Sequence, residues 1–150
     1  MIQDTSRSSV KVLIVDDHPV VLSGCRLLFG GDASIRIEEA GDAKSGHRAF
    51  IQKKPDVTII DINLPDVSGF ELMRRIRKDP KHRLLPILAL TAKAMKGDRE
   101  KCLEAGASDY IAKPVNTEEL LALLRVWLFG KQKMPKITYE HRANGEHPRS

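Results

Sequence analysis

An α/β domain built on a single, doubly wound, five-stranded parallel sheet is the fold class that the sequence predicts. Three observations point to it. Five short apolar, β-branched runs recur along the chain; each is followed by apolar residues at helical spacing; and acidic, hydroxyl or lysine residues stand where the runs end. Strands alternating with helices over 150 residues imply parallel strands, right-handed crossovers and one core.

Val10 to Asp16 is nearly continuous and β-branched, as in a strand buried on both faces. Pro19 to Phe29 sets Val21, Cys25 and Leu28 at helical spacing, and Gly30-Gly31 stops it. Ile35 to Glu39 is a short second strand. Asp42 to Lys53 is a helix with Ala43, His47 and Phe50 towards one side, ended before Pro55 because the residue ahead of a proline avoids helical backbone. Val57 to Asp61 is the third strand, and Pro65 to Gly69 a turn. Phe70, Met73 and Ile76 mark a third helix, whose other face, Arg74, Arg75, Arg77 and Lys78, reads as basic and solvated. Ile87 to Thr91 is the fourth strand. Lys96 to Ala105 is a polar helix carrying Cys102 and Leu103, closed by Gly106, and Asp109 to Ala112 is the fifth strand. Asn116-Thr-Glu-Glu119 resembles a capping box. Leu120, Leu124 and Trp127 give the last helix its apolar stripe, and Gly130 ends the domain.

Composition narrows the function classes. Hydrophobic residues at 41% and charged residues at 30% exclude a fibrous or disordered chain. No apolar run approaches the roughly 18 residues of a membrane span. Met1 to Ser9 lacks the apolar segment of a secretory signal, so a cytoplasmic protein without membrane contact is expected. Cys25 and Cys102 lie far apart with no Cys/His spacing suited to zinc, and read as reduced packing or surface residues. His18, His47, His82, His141 and His147 show no ligand spacing either, and read the same way. Of the net charge of +5, residues 131–150 carry +3, from Lys131, Lys133, Lys136, Arg142 and Arg149 against Glu140 and Glu146. Residues 1–9 read as a flexible N-terminus. Residues 131–150 read as a flexible basic tail or linker, too poor in apolar residues to fold alone. With one tyrosine and no stacking platform in that tail, direct nucleic-acid binding is not expected.

The residues that carry chemistry are the ones at the strand ends. Asp16 and Asp17 end the first strand, Asp61 the third and Thr91 the fourth; Lys113 follows the fifth. In an open parallel sheet, ligands bind outside the carboxyl ends of the strands, near the switch in strand order. Two carboxylates about 5 Å apart repel by ~3 kcal/mol at an effective dielectric near 20. Three would raise one another's pKa unless a cation offsets them. A hard divalent ion with oxygen ligands does this, and magnesium suits few carboxylates, water and a phosphate oxygen. A carboxylate nucleophile, a metal and a lysine fit phosphoryl transfer, which is mainly positioning and charge neutralisation. Each of these residues alone has an ordinary reading as a helix cap, a strand end or a surface lysine; their combined spacing favours the site.

The segments Val15-Asp-Asp-His-Pro19, Asp61-Ile-Asn-Leu-Pro-Asp-Val-Ser-Gly69, Leu90-Thr-Ala92 and Tyr110-Ile-Ala-Lys-Pro114 resemble the response-regulator receiver family of two-component signalling, in order and on the right elements. The resemblance covers about Val10 to Phe129. It implies a flavodoxin-like (βα)5 fold with strand order 2-1-3-4-5 and a receiver domain over 10–130. It implies that Asp61 is the phosphoacceptor, and that Asp16, Asp17, Asp61 and the backbone carbonyl of Asn63 hold magnesium. Thr91 would be the switch hydroxyl, Lys113 the phosphoryl contact and Tyr110 the aromatic rotamer switch. Pro114 would follow a cis peptide, and Ala92 would leave the phosphoryl path open. Asn63 and Lys93 stand at positions that tune dephosphorylation. Leu64 departs from the family's common methionine, a conservative apolar change.

The function so implied is that of a phosphoacceptor, not an enzyme beyond self-catalysed phosphorylation and dephosphorylation. A histidine kinase or histidine phosphotransfer protein would donate. The face of helix four, strand five and helix five would be read by a downstream protein or output domain, and a homodimer through that face is compatible with the family. Two alternatives stand beside it. One is a phosphorylation-independent interaction module or a truncated DNA-binding response regulator. The start Asp-Asp-His-Pro is similar to receivers that precede helix-turn-helix domains, whereas Thr91 to Pro114 is more similar to stand-alone or hybrid-kinase receivers. The residues after Phe129 are too few for a DNA-binding domain, so a stand-alone or excised receiver is expected. The other is an aspartate-nucleophile phosphatase of the haloacid-dehalogenase kind. It expects its nucleophile in a D-x-D pattern after strand one, where this chain has Asp16-Asp17-His18, and it expects a cap insertion.

Overall fold

The computed structural model describes residues 9–31, 33–92 and 97–133, of which 129–133 by their helical backbone. The expectations for residues 1–8, Lys93, Lys96, His141, His147 and the chain beyond Lys133 lie outside the described residues. Strands β1 (Val10–Val15), β2 (Ile35–Ala40), β3 (Val57–Asp61), β4 (Ile87–Thr91) and β5 (Asp109–Ala112) form one parallel sheet in the order β2-β1-β3-β4-β5. Helices α1 (Pro19–Phe29), α2 (Ala43–Lys53), α3 (Gly69–Arg77) and α4 (Asp98–Ala105) alternate with the strands, and α5 (Thr117–Lys133) follows. A 3-10 turn, Pro80–His82, precedes β4. No described helix is long and apolar enough to cross a membrane.

Burial follows position in the sheet. Every residue of β3 and β4 is buried, as is β1 from Val12 onward, because interior parallel strands are covered on both faces. The edge strands β2 and β5 are only partly buried. Leu13, Val15, Ile60 and Ala89 from the sheet join Phe50 of α2, Leu72, Met73 and Ile76 of α3 and Cys102 of α4 in the core. Cys25 and Cys102 are both buried, and burial pushes each thiol up to about 11, so they are unreactive packing residues.

The chain runs from β1 outward to β2, then returns to β3 on the other side of β1. The switch in strand order therefore falls between β1 and β3. Val15 pairs with Ile60, Asp61 with Leu90 and Thr91 with Ala112, so the carboxyl ends of four strands lie level at one edge.

Local chemistry fixes the helix starts near that edge. The Asp42 side chain caps α2 by accepting from Ser45 N at 2.8 Å, and that helix also receives Asp66, which accepts from Ala43 N at 2.8 Å and Lys44 N at 3.0 Å. These bonds hold both carboxyl groups below the usual range: for Asp42 the Ser45 side chain leads, for Asp66 the Ala43 backbone. Ser68 caps α3 through Glu71 N. Gly69 is obligatory there, since a Cβ would run into the backbone carbonyl of Asp61. Gly106 closes α4 at φ 118°, the left-handed region that favours glycine.

The chain divides into two compact units between Val115 and Asn116. In the second, Asn116 caps α5, its side chain accepting from Glu119 N at 3.0 Å. The buried stripe of α5 is Leu120, Leu123 and Leu124, while Trp127 is 37% exposed. The helix does not stop at Gly130 but continues to Lys133. Glycine costs only about 1 kcal/mol in a helix interior, and no proline comes before Pro135 to break it. Two smaller differences are that β2 reaches Ala40 and that the first described residue of α4 is Asp98.

Arg77 departs from the expected solvated face. Arg74 and Arg75 are exposed and share Glu71, but the Arg77 guanidinium turns inward. It donates to Gly106 O at 2.9 Å, Leu85 O at 2.7 Å and His82 O, and so ties the end of α3 to the chain before β4 and before β5. The planar guanidinium holds its donors in a fixed fork, so one side chain serves all three carbonyls with little freedom to lose. Arg77→Met should cost about 2–4 kcal/mol by leaving buried carbonyls unpaired, and Arg77→Lys should recover less than half of it. Urea denaturation of the three proteins measures both.

Candidate functional site

The site forms where β1, β3, β4 and β5 end. Asp16 follows Val15, which pairs with Ile60, so Asp16 comes to stand beside Asp61 at the switch point. Asp16 is 0% exposed and Asp61 1% exposed, burial that is rare for carboxylates without a partner. Asp17 is 40% and the His18 ring 53% exposed at the rim. Thr91 is buried at the end of β4, and its carbonyl accepts from Lys113 N at 2.8 Å, which sets the backbone from which the lysine reaches in. The Lys113-Pro114 peptide is cis, as the resemblance implies.

Lys113 Nζ stands 3.1 Å from Asp61 Oδ2, 3.1 Å from Asp16 Oδ2 and 2.9 Å from His18 Nδ1. Asp61 Oδ1 accepts from Asn63 N at 3.0 Å. Asp16 Oδ1 accepts from His18 N at 2.8 Å and lies 2.8 Å from His18 Nδ1. The remaining oxygen, Asp16 Oδ2, is buried with no hydrogen-bond donor; the lysine is an ionic neighbour there but not aligned to donate. Burial is the main cause that raises the Asp61 pKa, with Asp16 adding to it and the Asn63 amide and Lys113 opposing. Its hydrogen bond to Asp16 raises the His18 pKa, against the opposing charge of Lys113.

Asp16, Asp17, His18 and Asp61 each present one donor atom, all within 4.8 Å of one another. Three carboxylates against one ammonium leave two negative charges when His18 is neutral. A hard divalent cation fits this set, because it supplies the missing charge and a partner for Asp16 Oδ2.

The structure brings together Asp16, Asp17, Asp61 and Lys113, with Asn63 bound through its backbone and Thr91 at the adjoining strand end. Tyr110 lies one strand further out, opposite Ala89, partly buried against the core. Ala92, next to Thr91, is exposed. His18 is the residue the sequence reading missed: it is neither packing nor idle surface, but in contact with every charged group of the cluster. Its signal was adjacency, since it directly follows two aspartates at a strand's carboxyl end. His47 belongs elsewhere, to a groove of about 250 Å³ lined also by Lys44, Arg48, Ile51 and Arg75.

A raised carboxyl pKa means that the folded state holds the Asp61 proton more tightly than the unfolded chain does. The ionised group therefore subtracts stability, and the penalty grows as pH rises through the carboxylate range toward neutrality. Without divalent cations, Asp61→Asn should melt above the wild type at neutral pH. The gap should shrink toward zero as pH falls below that range, as read by calorimetry across pH.

The family model for the response regulator receiver domain matches residues 12–125. The DNA-binding dual master transcriptional regulator RpaA of Synechocystis sp. is 33% identical over 84% of this chain and 52% of its own. The signal transduction histidine-protein kinase BarA of Shigella flexneri is 36% identical over 82% of this chain and 13% of its own. The chain thus spans about half of the first relative and a small part of the second. Among solved structures, the receiver domain of a sensor histidine kinase from Pseudomonas aeruginosa, with a magnesium ion coordinated in its active site cleft, is 34% identical with a TM-score of 0.72, over 80% of this chain and 98% of that one. With the strand order, the acidic cluster and the lysine already in place, these matches settle the family: the chain belongs to the response regulator receiver domains of two-component systems.

Proposed function

We propose that this receiver accepts a phosphoryl group on Asp61 from a phosphohistidine of a histidine kinase or phosphotransfer protein. The observation that carries the reading is the Lys113 ammonium at 3.1 Å from the buried Asp61 carboxylate, whose other oxygen the Asn63 amide holds. A carboxylate fixed in this way is oriented for attack with little freedom left to lose. An Asp61 oxygen bonds to phosphorus, the phosphorus–nitrogen bond of the donor breaks, and the leaving imidazole keeps the electron pair and takes a proton. The product is an acyl phosphate.

Asp16, Asp17, Asp61 and the backbone carbonyl of Asn63 are the groups we assign to a magnesium ion, which when bound neutralises charge on the phosphoryl oxygens. Lys113 provides the second positive charge. Thr91 donates its hydroxyl to a phosphoryl oxygen, and Tyr110 follows by turning inward. The surface carried by α4 and β5 then shifts population between two states, and a downstream protein or output domain reads the difference. The chain is a phosphoacceptor that catalyses its own gain and loss of phosphate at most, in the cytoplasm, with the basic segment after its last helix as a linker. Its setting in a longer kinase, in a regulator or alone is open to each of these chemistries, since all share the same acidic site.

Val20 and Leu27 support docking of a protein donor. They are 81% and 83% exposed on α1, the helix that begins just past the aspartates. Large apolar side chains so exposed among the described residues suit a partner surface.

Incubation with acetyl phosphate or phosphoramidate should add one phosphate by intact mass, dependent on magnesium and absent from Asp61→Asn. No such adduct refutes the reading. Leu27→Asp should leave this small-molecule reaction unchanged but slow transfer from a phosphorylated protein donor by roughly tenfold, the effect of losing one interface anchor.

A further inference from the structure

We propose that His18 supplies a nitrogen donor to the cation at this site, so that this receiver favours cobalt and similar first-row metals over magnesium more than a carboxylate site would. The inference rests on the cation reading of the acidic cluster and adds to it a ligand of different chemistry.

The geometry around the ring carries it. His18 Nδ1 lies 2.8 Å from Asp16 Oδ1, 3.4 Å from Asp61 Oδ2 and 3.5 Å from Asp17 Oδ1. Neighbouring donors on one octahedral ion, at bond lengths of about 2.1 Å, stand about 3 Å apart. The nitrogen is thus spaced from one oxygen of each carboxylate as co-ligands are. The second observation is Asp16 Oδ2, buried in the same cluster without a hydrogen-bond donor.

The ring is also held in place without being satisfied. The bond from His18 N to Asp16 Oδ1 folds the loop so that the imidazole comes over the carboxylates. Its Nδ1 then faces two incompatible partners: it must donate to Asp16 Oδ1 and accept from Lys113 Nζ at 2.9 Å. One ring nitrogen does one or the other. A neutral ring with its proton on Nε2 presents the Nδ1 lone pair to the cluster, where a metal ion resolves the conflict. Half-exposed, the side chain has room to adjust to an entering ion.

Imidazole nitrogen raises affinity for cobalt, nickel and zinc far more than for magnesium, which keeps to oxygen. The test uses the full chain with Co²⁺ and Mg²⁺ alone. Competition titrations give the ratio of the two affinities, and proton spectra of the Co²⁺ form show whether a ligated imidazole contributes a strongly shifted, exchangeable N–H signal. His18→Ala and His18→Gln should lower the Co²⁺ to Mg²⁺ ratio by roughly tenfold or more, the scale on which even outer-shell partners of metal ligands act. Both should lose the shifted signal, while His141→Ala with His147→Ala keeps it. An unchanged ratio overturns the inference, and so does a gain in Mg²⁺ affinity in His18→Ala with no shifted signal in the wild type, which would mean that the ring leaves as the ion enters. Binding that Asp61→Asn does not weaken would sink the cation reading itself, and the ligand inference with it. Binding that depends on Asp61 but not on His18 sinks the inference alone.

Discussion

Asp16 and Asp61 are driven into a buried edge of the sheet by strand pairing, with Asp17 at the rim and the Lys113 ammonium 3.1 Å from each of the two. The parallel register leaves no choice: once Val15 pairs with Ile60, the next residue of each strand is an aspartate at the switch point. Each carboxylate pair at such separations costs about 3 kcal/mol of repulsion at an intermediate dielectric. The fold therefore carries a local deficit of positive charge, and it is this deficit, not any single residue, on which the proposed binding of a cation and a phosphoryl group rests. Apolar β1, β3 and β4 supply the stability that lets the edge remain so poorly satisfied.

Much of the rest of the structure keeps that edge stiff. The loop after β3 is pinned at several points: Asn63 N bonds back to Asp61, Asp66 grips the start of α2, and Gly69 lets α3 begin against the Asp61 carbonyl. Arg77 secures the far end of α3 to the chain entering β4 and β5. A carboxylate on a strand end braced in this way would need little reorganisation in the phosphoryl transfer proposed for it. The Asp61 carboxylate is held by the Asn63 amide, and its charge partners reach it on the long side chain of Lys113, 15% exposed, and the ring of His18, 53% exposed.

The relatives include a transcriptional regulator and a histidine kinase, and the matched region is a fraction of each. That breadth is understandable from the site. The described groups of the site come from the carboxyl ends of strands within one sheet. In this chain Val20 and Leu27 are exposed on α1, and His18 follows the two aspartates directly.

The sequence alone determined the sheet, its helices and most of the site. Strand burial is written in continuous β-branched runs, and helix ends in proline, glycine and capping residues, because both depend on nearest neighbours. The strand-end aspartates, Thr91 and Lys113 were legible for a related reason: in a parallel sheet every strand delivers its last residue to the same edge, so position along the chain predicts position in space. Only the tertiary structure decided the parts that depend on where a long side chain turns. Arg77 looked like its solvated neighbours Arg74 and Arg75, yet it reaches carbonyls far along the chain. His18 had no partner at ligand spacing in sequence, yet its ring meets Asp61 and Lys113 from across the sheet. Local pattern encodes which face of an element is buried, but not which of several polar groups, brought together from distant segments, a flexible side chain will find.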